Sequence, residues 1–99
     1  MNIPQKLKEC FDEVVIPSIW KYKGMSNLVD KDDEDKETII SLGLVFYDPK
    51  KNITIKLTYT LDAERYYLTE RNDQGRYSTK CDFMKKELPQ FNQFIQSNY

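Results

Sequence analysis

Apolar residues recur along this chain with two different periods. Ile3, Leu7, Cys10, Phe11 and Val14 stand at i, i+4, i+7, i+8 and i+11, the spacing that lines one face of an α-helix. Lys6, Lys8, Glu9, Asp12 and Glu13 fill the opposite face. Asn2, followed three residues later by Gln5 with Pro4 between them, resembles an N-terminal capping arrangement. The pattern predicts a helix from residue 3 to Val15, where Pro17 kinks or ends it by removing a donor and crowding the preceding turn. Ile19, Trp20 and Tyr22 follow as a short continuation or an extended segment, stopped by Gly24.

Asp30 to Glu37 is eight consecutive charged residues without an apolar anchor. This predicts a flexible acidic loop over residues 26–37. Beyond it the period changes to two. Ile40, Leu42, Leu44 and Phe46 alternate with Ser41, Gly43, Val45 and Tyr47, and Ile53, Ile55, Leu57 and Tyr59 alternate with Thr54, Lys56, Thr58 and Thr60. Asp48-Pro49-Lys50-Lys51-Asn52 supplies turn chemistry between them. An antiparallel hairpin over Ile39 to Thr60 follows, with one apolar face that something must cover. Two further strands are expected over Arg65–Arg71 and Arg76–Lys80, joined by Asn72-Asp73-Gln74-Gly75. Their polar character predicts a sheet edge. Met84, Leu88, Phe91 and Ile95 restore the helical spacing, with Pro89 either bending that helix or opening a second one after a short turn.

The expected fold is therefore α+β: one domain over residues 1–99, holding a four-stranded antiparallel meander with N- and C-terminal helices on one face, in the order α-β-β-β-β-α. Ninety-nine residues with 39% hydrophobic content are enough to close a single core. With no run of about twenty apolar residues and charge interrupting the N-terminus, neither a membrane span nor a secretory leader is expected, and the cytoplasm is the default location. Cys10 and Cys81 sit on different elements without C-x-x-C spacing and read as buried thiols. The Asn52-Ile53-Thr54 sequon carries weight only in a secreted protein.

Candidate chemistry is bounded first by the absence of histidine. Ser-His-Asp and Cys-His triads, imidazole acid-base catalysis and His-containing zinc sites are all excluded. Neither G-x-x-x-x-G-K-[ST] nor G-x-G-x-x-G occurs among the three glycines. The acidic run has the alternating oxygens of an EF-hand loop at Asp30, Asp32 and Glu34. It then places Asp35 where that loop requires glycine and Ser41 where it requires glutamate. Glu34-Asp35-Lys36 forms an E-x-K triplet, but in a loop, where a metal-dependent nuclease needs a rigid strand. No cofactor, metal site or catalytic residue is expected.

Charge then separates two binding readings. Residues 1–49 hold ten acids and six bases, whereas residues 50–99 hold nine bases and six acids. The acid cluster Asp30, Asp32, Asp33, Glu34, Asp35 and Glu37 fits a non-enzymatic inhibitory module of the toxin-immunity or phage-inhibitor kind. Its carboxylates would steer onto a partner protein with a basic surface, such as a toxin or nuclease. In the other half, Arg65, Tyr67, Arg71, Arg76 and Tyr77 fall on or beside predicted strands, with Lys56, Tyr59 and Tyr66 nearby. Such a sheet stacks bases and neutralises phosphates, as single-stranded nucleic-acid binders do. Half-buried cross-strand packing is the competing explanation of the same tyrosines.

Overall fold

The computed structural model describes residues 5–31, 37–72 and 74–99, with backbone only for 28–31, 37 and 38. The chain runs α1 (Gln5–Glu9), β1 (Lys21–Lys31), β2 (Glu37–Asp48), β3 (Ile53–Thr60), β4 (Arg65–Arg71), β5 (Tyr77–Met84), a 3₁₀ turn (Lys85–Glu87) and α2 (Leu88–Asn98). The five strands form one antiparallel sheet in sequence order, β1-β2-β3-β4-β5. Among the described residues no helix is long and apolar enough to cross a membrane.

The meander thus has five strands, not four. The extra one is β1, which pairs with β2 from Lys21↔Tyr47 to Lys31↔Glu37. It absorbs Tyr22, Gly24 and the first part of the expected acidic loop. Register shifts between Tyr22 and Gly24 and between Leu28 and Val29 break its alternation, so no period of two runs through its sequence. β2 also outruns β3: Ser41 already pairs with Thr60, leaving residues 37–40 as one side of a two-stranded arm beyond the main sheet. Asp32, Asp33, Glu34 and Asp35, at the centre of the expected acidic loop, lie outside the described residues.

The N-terminal helix is shorter than its periodicity predicts. α1 ends at Glu9, and the i→i−3 bonds Asp12 N–H to Glu9 O and Val14 N–H to Phe11 O, each 3.1 Å, carry the chain onward in tight turns. Turns with about three residues each keep Leu7, Cys10 and Val14 on one side, so the apolar stripe is buried without a continuous helix. Val14-Val15-Ile16 is a β-branched run that disfavours helix, and Pro17 follows. The Asn92 side chain fixes the resulting extended segment by accepting from Val15 N–H and donating to Glu13 O, both at 2.9 Å. The Asn2 capping arrangement lies outside the described residues.

At the other end, β5 continues to Met84, which is a strand residue and not the first of the helical stripe. The 3₁₀ turn then hands over to α2, with Pro89 in its first turn, where its missing donor costs nothing. Phe91 and Ile95 are fully buried.

Both terminal elements cover the same sheet face. That face carries Leu42, Phe46, Ile55, Leu57, Tyr59, Tyr66 and Leu68, all buried. Tyr66 stacks on Phe91 at 5.2 Å and meets the tilted ring of Tyr59 at 4.8 Å, and its hydroxyl donates to the Cys10 carbonyl. Desolvation in this layer pushes the Tyr66 phenol up to about 12 and the Cys10 thiol up to about 12. α2 closes with Tyr99, whose ring meets Trp20 at 5.3 Å and whose hydroxyl donates to Glu70. The cover stops short of β1, leaving Tyr22 and Met25 57% and 51% exposed.

Candidate nucleic-acid interface

With both helices on one face, the opposite face of the sheet is open. Cross-strand register assigns its side chains to four rows. The first row runs Tyr47, Thr54, Arg71, Tyr77; the second Val45, Lys56, Thr69, Thr79; the third Gly43, Thr58, Tyr67, Asp82; the fourth Ser41, Thr60, Arg65, Met84. Neighbouring strands are about 4.8 Å apart and successive rows about 7 Å apart.

The first two rows concentrate aromatic and cationic groups. Lys56 Nζ lies 5.8 Å and Arg71 Cζ 6.0 Å from the centroid of the Tyr77 ring, and Lys23 Nζ lies 5.8 Å from that of Tyr47, within the range of cation–π attraction. Tyr77 is 47% exposed. The Tyr47 hydroxyl donates to the Asn52 side chain, anchoring that ring to the β2–β3 turn. Asn52 takes φ 55°, and Asp48 accepts from Lys50 N–H at 2.9 Å, so the turn presents Lys50 and Lys51 at the same end of the sheet. The β4–β5 turn is ordered by Asn72, whose side-chain oxygen accepts from Gln74 N–H and Arg76 N–H, both at 3.0 Å. Gly75, at φ 81°, lets the Arg71 guanidinium lie against it; a Cβ there would stand 3.3 Å from Arg71 Nη2. Tyr47, Arg71, Asn72 and Gly75 border a notch of about 290 Å³.

Across rows two to four, hydroxyl groups predominate. A shallow depression of about 420 Å³ is lined by Ser26, Ser41, Thr58, Thr60, Thr69 and Thr79, with Tyr67 and Lys56 at its sides and Gly43 in its floor. The floor is tight at this glycine: a Cβ on residue 43 would come within 2.6 Å of Ser26 Oγ and 2.9 Å of Lys56 Cε, so both side chains would have to move.

Arg65, Tyr67, Arg71 and Tyr77 are thus brought onto one open face, with Arg76 in the adjoining turn. Arg65 is paired with Asp82, whose carboxylate stands on the same face opposite Tyr67, with side chains 33% and 46% exposed. Tyr59 and Tyr66 are core residues on the covered face. Tyr47 completes the aromatic row; its place opposite the Ile40-to-Phe46 stripe is the sequence signal that finds it. Of the acid cluster, Asp30 and Glu37 stand on the two facing strands of the arm, where their backbones pair with Thr38 and Lys31.

No protein-family model, curated protein or solved structure matches this chain. The chemistry of the face has to be read from its own groups. Burial pushes the Cys81 thiol up to about 11, so both cysteines are protonated at neutral pH and neither is a thiolate nucleophile. Among the described residues no group of three or more Cys, Asp or Glu is placed to hold a metal ion. A recess of about 680 Å³ lies on the helix side. Glu9, Asp12 and Glu13 line it together with Lys6 and Lys85, which offset their charge.

Strand direction also sorts the charges. Lys21, Lys23, Lys50, Lys51, Arg71 and Arg76 gather at the end where β1 begins and β2 turns into β3. Asp62 and Glu64 of the β3–β4 turn share the other end with the arm, and Arg65, Lys85 and Lys86 stand beside them there. β1 spans ten residue steps, about 33 Å in extended geometry, so the two ends are separated by several screening lengths.

Proposed function

We propose that this protein is a non-enzymatic binding module that engages single-stranded nucleic acid on the open sheet face. The observation that carries this reading is the row Tyr47, Arg71, Tyr77 with Lys56 beside it, on a face that no helix covers. Base stacking on an exposed tyrosine contributes about 1–3 kcal/mol per base and tolerates any sequence, because every base presents a π-face. Tyr47 and Tyr77 are three strands apart, about 14 Å, with the Arg71 guanidinium between them, so bases on the two rings leave a phosphate within reach of Arg71 and Lys56.

The test is a fluorescence-anisotropy titration of labelled single-stranded oligonucleotides across a salt series. Two phosphate contacts, from Lys56 and Arg71, give a slope of log K against log salt of about −1.4, and Arg71→Ala removes about 0.7 of it. Tyr77→Ala weakens binding about tenfold or more with the slope unchanged. Absence of binding at low salt removes the proposal.

A second reading is favoured by the arm. Residues 37–40 and their β1 partners project beyond Thr60 and carry Asp30 and Glu37, the margins of the acid cluster. An arm of this charge fits docking to a basic protein surface, with fast, salt-sensitive association.

A further inference from the structure

We propose that the nucleic acid taken by the open face is RNA, distinguished from DNA through its 2′-hydroxyl by the depression beside Tyr67; this rests on the nucleic-acid reading above. Tyrosine stacking and phosphate pairing are indifferent to the sugar. The depression is not. Six of its lining side chains are serines or threonines, and Lys56 is the one charged group among its lining residues. Thr58 pairs directly with Tyr67 across the β3–β4 ladder, and Thr79 follows on β5 beyond Thr69. A nucleotide stacked on Tyr67 therefore has Thr58 beside it on β3, and its neighbour along the strand reaches Thr69 and Thr79 in the next row.

Serine and threonine hydroxyls donate and accept at once, as the ribose 2′-hydroxyl does, and deoxyribose offers neither. One hydroxyl of the lining is already short of a partner: Thr60 Oγ1 is buried with no hydrogen bond among the described residues. Of the others, Thr69 donates to Lys56 O at 3.3 Å, a long bond that leaves its oxygen free to accept. A polar surface built to bond a ligand hydroxyl discriminates against the analogue lacking it, because its own groups then go unpaired. Gly43 contributes by absence: any side chain there would occupy the space over Ser26 and Lys56.

The experiment measures binding of an oligouridine, its deoxy counterpart and its 2′-O-methyl counterpart, of equal length and at one salt concentration. RNA is expected to bind about tenfold more tightly than DNA, with the 2′-O-methyl form near the DNA value. Thr58→Val/Thr79→Val, which keeps side-chain shape and suits a strand, is expected to bring RNA to the DNA value and leave DNA unchanged. The corresponding double serine variant is expected to restore the preference. Equal affinity for RNA and DNA, or a preference that survives both the valines and 2′-O-methylation, overturns the inference while nucleic-acid binding stands. Failure of all three oligonucleotides to bind takes down the proposed function itself. The 2′-O-methyl comparison uses the unaltered protein, so it decides even if the valine variant does not fold.

Discussion

Substitution Gly43→Ala separates the fold from the open face. The added methyl would lie 2.6 Å from Ser26 Oγ and 2.9 Å from Lys56 Cε, with the Ser26 carbonyl next at 3.6 Å. Both close atoms belong to side chains that can move: the serine by one χ1 rotation, the lysine by swinging its end into solvent. Residue 43 is not among the positive-φ glycines, so alanine adopts its backbone conformation freely. Reduced freedom of the unfolded chain stabilises by about 0.4–1 kcal/mol, against a similar cost for displacing the two neighbours. The net change in stability is expected within about 1 kcal/mol, a melting shift inside about 8 °C. Binding is expected to suffer more. Lys56 is driven off its place beside Tyr77, which costs its phosphate contact, about fivefold to tenfold in affinity and about 0.7 in salt slope. Ser26→Ala added to Gly43→Ala removes the shorter contact, so the pair should couple favourably in a double-mutant cycle of thermal stability. A loss above about 2 kcal/mol from the alanine alone would show the neighbours to be immovable. Unchanged affinity and slope would show that the depression does not meet the ligand.

Other expectations follow from the packing. Thr60→Val replaces a buried unpartnered hydroxyl with an apolar group of the same shape and should raise stability by about 1 kcal/mol or more in urea unfolding. Phe91→Ala empties the site between Tyr66 and Phe83 and should cost about 3–5 kcal/mol, much of the stability of a domain this size. Tyr66→Phe leaves the Cys10 carbonyl without its donor and should cost about 1–3 kcal/mol without altering oligonucleotide affinity, since Tyr66 lies on the covered face. Raised folded-state pKa values at Cys10, Cys81 and Tyr66 set the alkaline limb. Their stabilisation is fully present below the ordinary values of 9.0 for the thiols and 10.0 for the phenol, and is lost as pH climbs through 11 to 12. The urea midpoint should therefore hold up to pH 9 and fall above it, less steeply in Cys10→Ala.

The legible parts of the fold are those where one face stays buried for the whole length of an element. β3 sits in mid-sheet and its alternation is unbroken from Ile53 to Thr60, so strand and covered face follow from sequence, while Asp48, read as turn, pairs with Ile53. β1 is an edge strand with two register shifts and a partly uncovered apolar side, so its residues obey no single period. The acid run hides it further, because strand pairing continues into charged residues that look like loop. α1 misleads in the opposite direction, since tight turns of about three residues imitate helical spacing.

The same parity logic decides which tyrosines are available. In Tyr66-Tyr67-Leu68 the leucine is buried, and residues two apart share a face, so Tyr66 goes inward and Tyr67 outward. Tyr59, two residues beyond Leu57, follows the same rule. Nothing comparable reveals the Arg65–Asp82 pair. It depends on how β5 aligns with β4, and an extra residue at Lys80 shifts that alignment between Leu68 and Thr69.

The separation of charge along the sheet makes the two binding readings predict opposite signs for one perturbation. Replacing Asp30, Asp32, Asp33, Glu34, Asp35 and Glu37 by their amides removes six negative charges and changes no residue of the four rows of the open face. Where a basic protein is the partner, those carboxylates are the contact, and association slows by about an order of magnitude or more with the steering field gone. Where single-stranded nucleic acid is the ligand, the same carboxylates repel its phosphates, so the variant binds more tightly. That gain is confined to low ionic strength: the acidic end lies about 30 Å from the Tyr47–Tyr77 row, within one Debye length at 0.01 M salt and several lengths beyond it at about 0.15 M. Affinity that rises at low salt and converges on the unaltered protein near physiological salt identifies the open face as the functional surface. Oligonucleotide affinity that falls at every salt concentration would place the acid cluster in the contact, and the assignment of the open face would then be wrong.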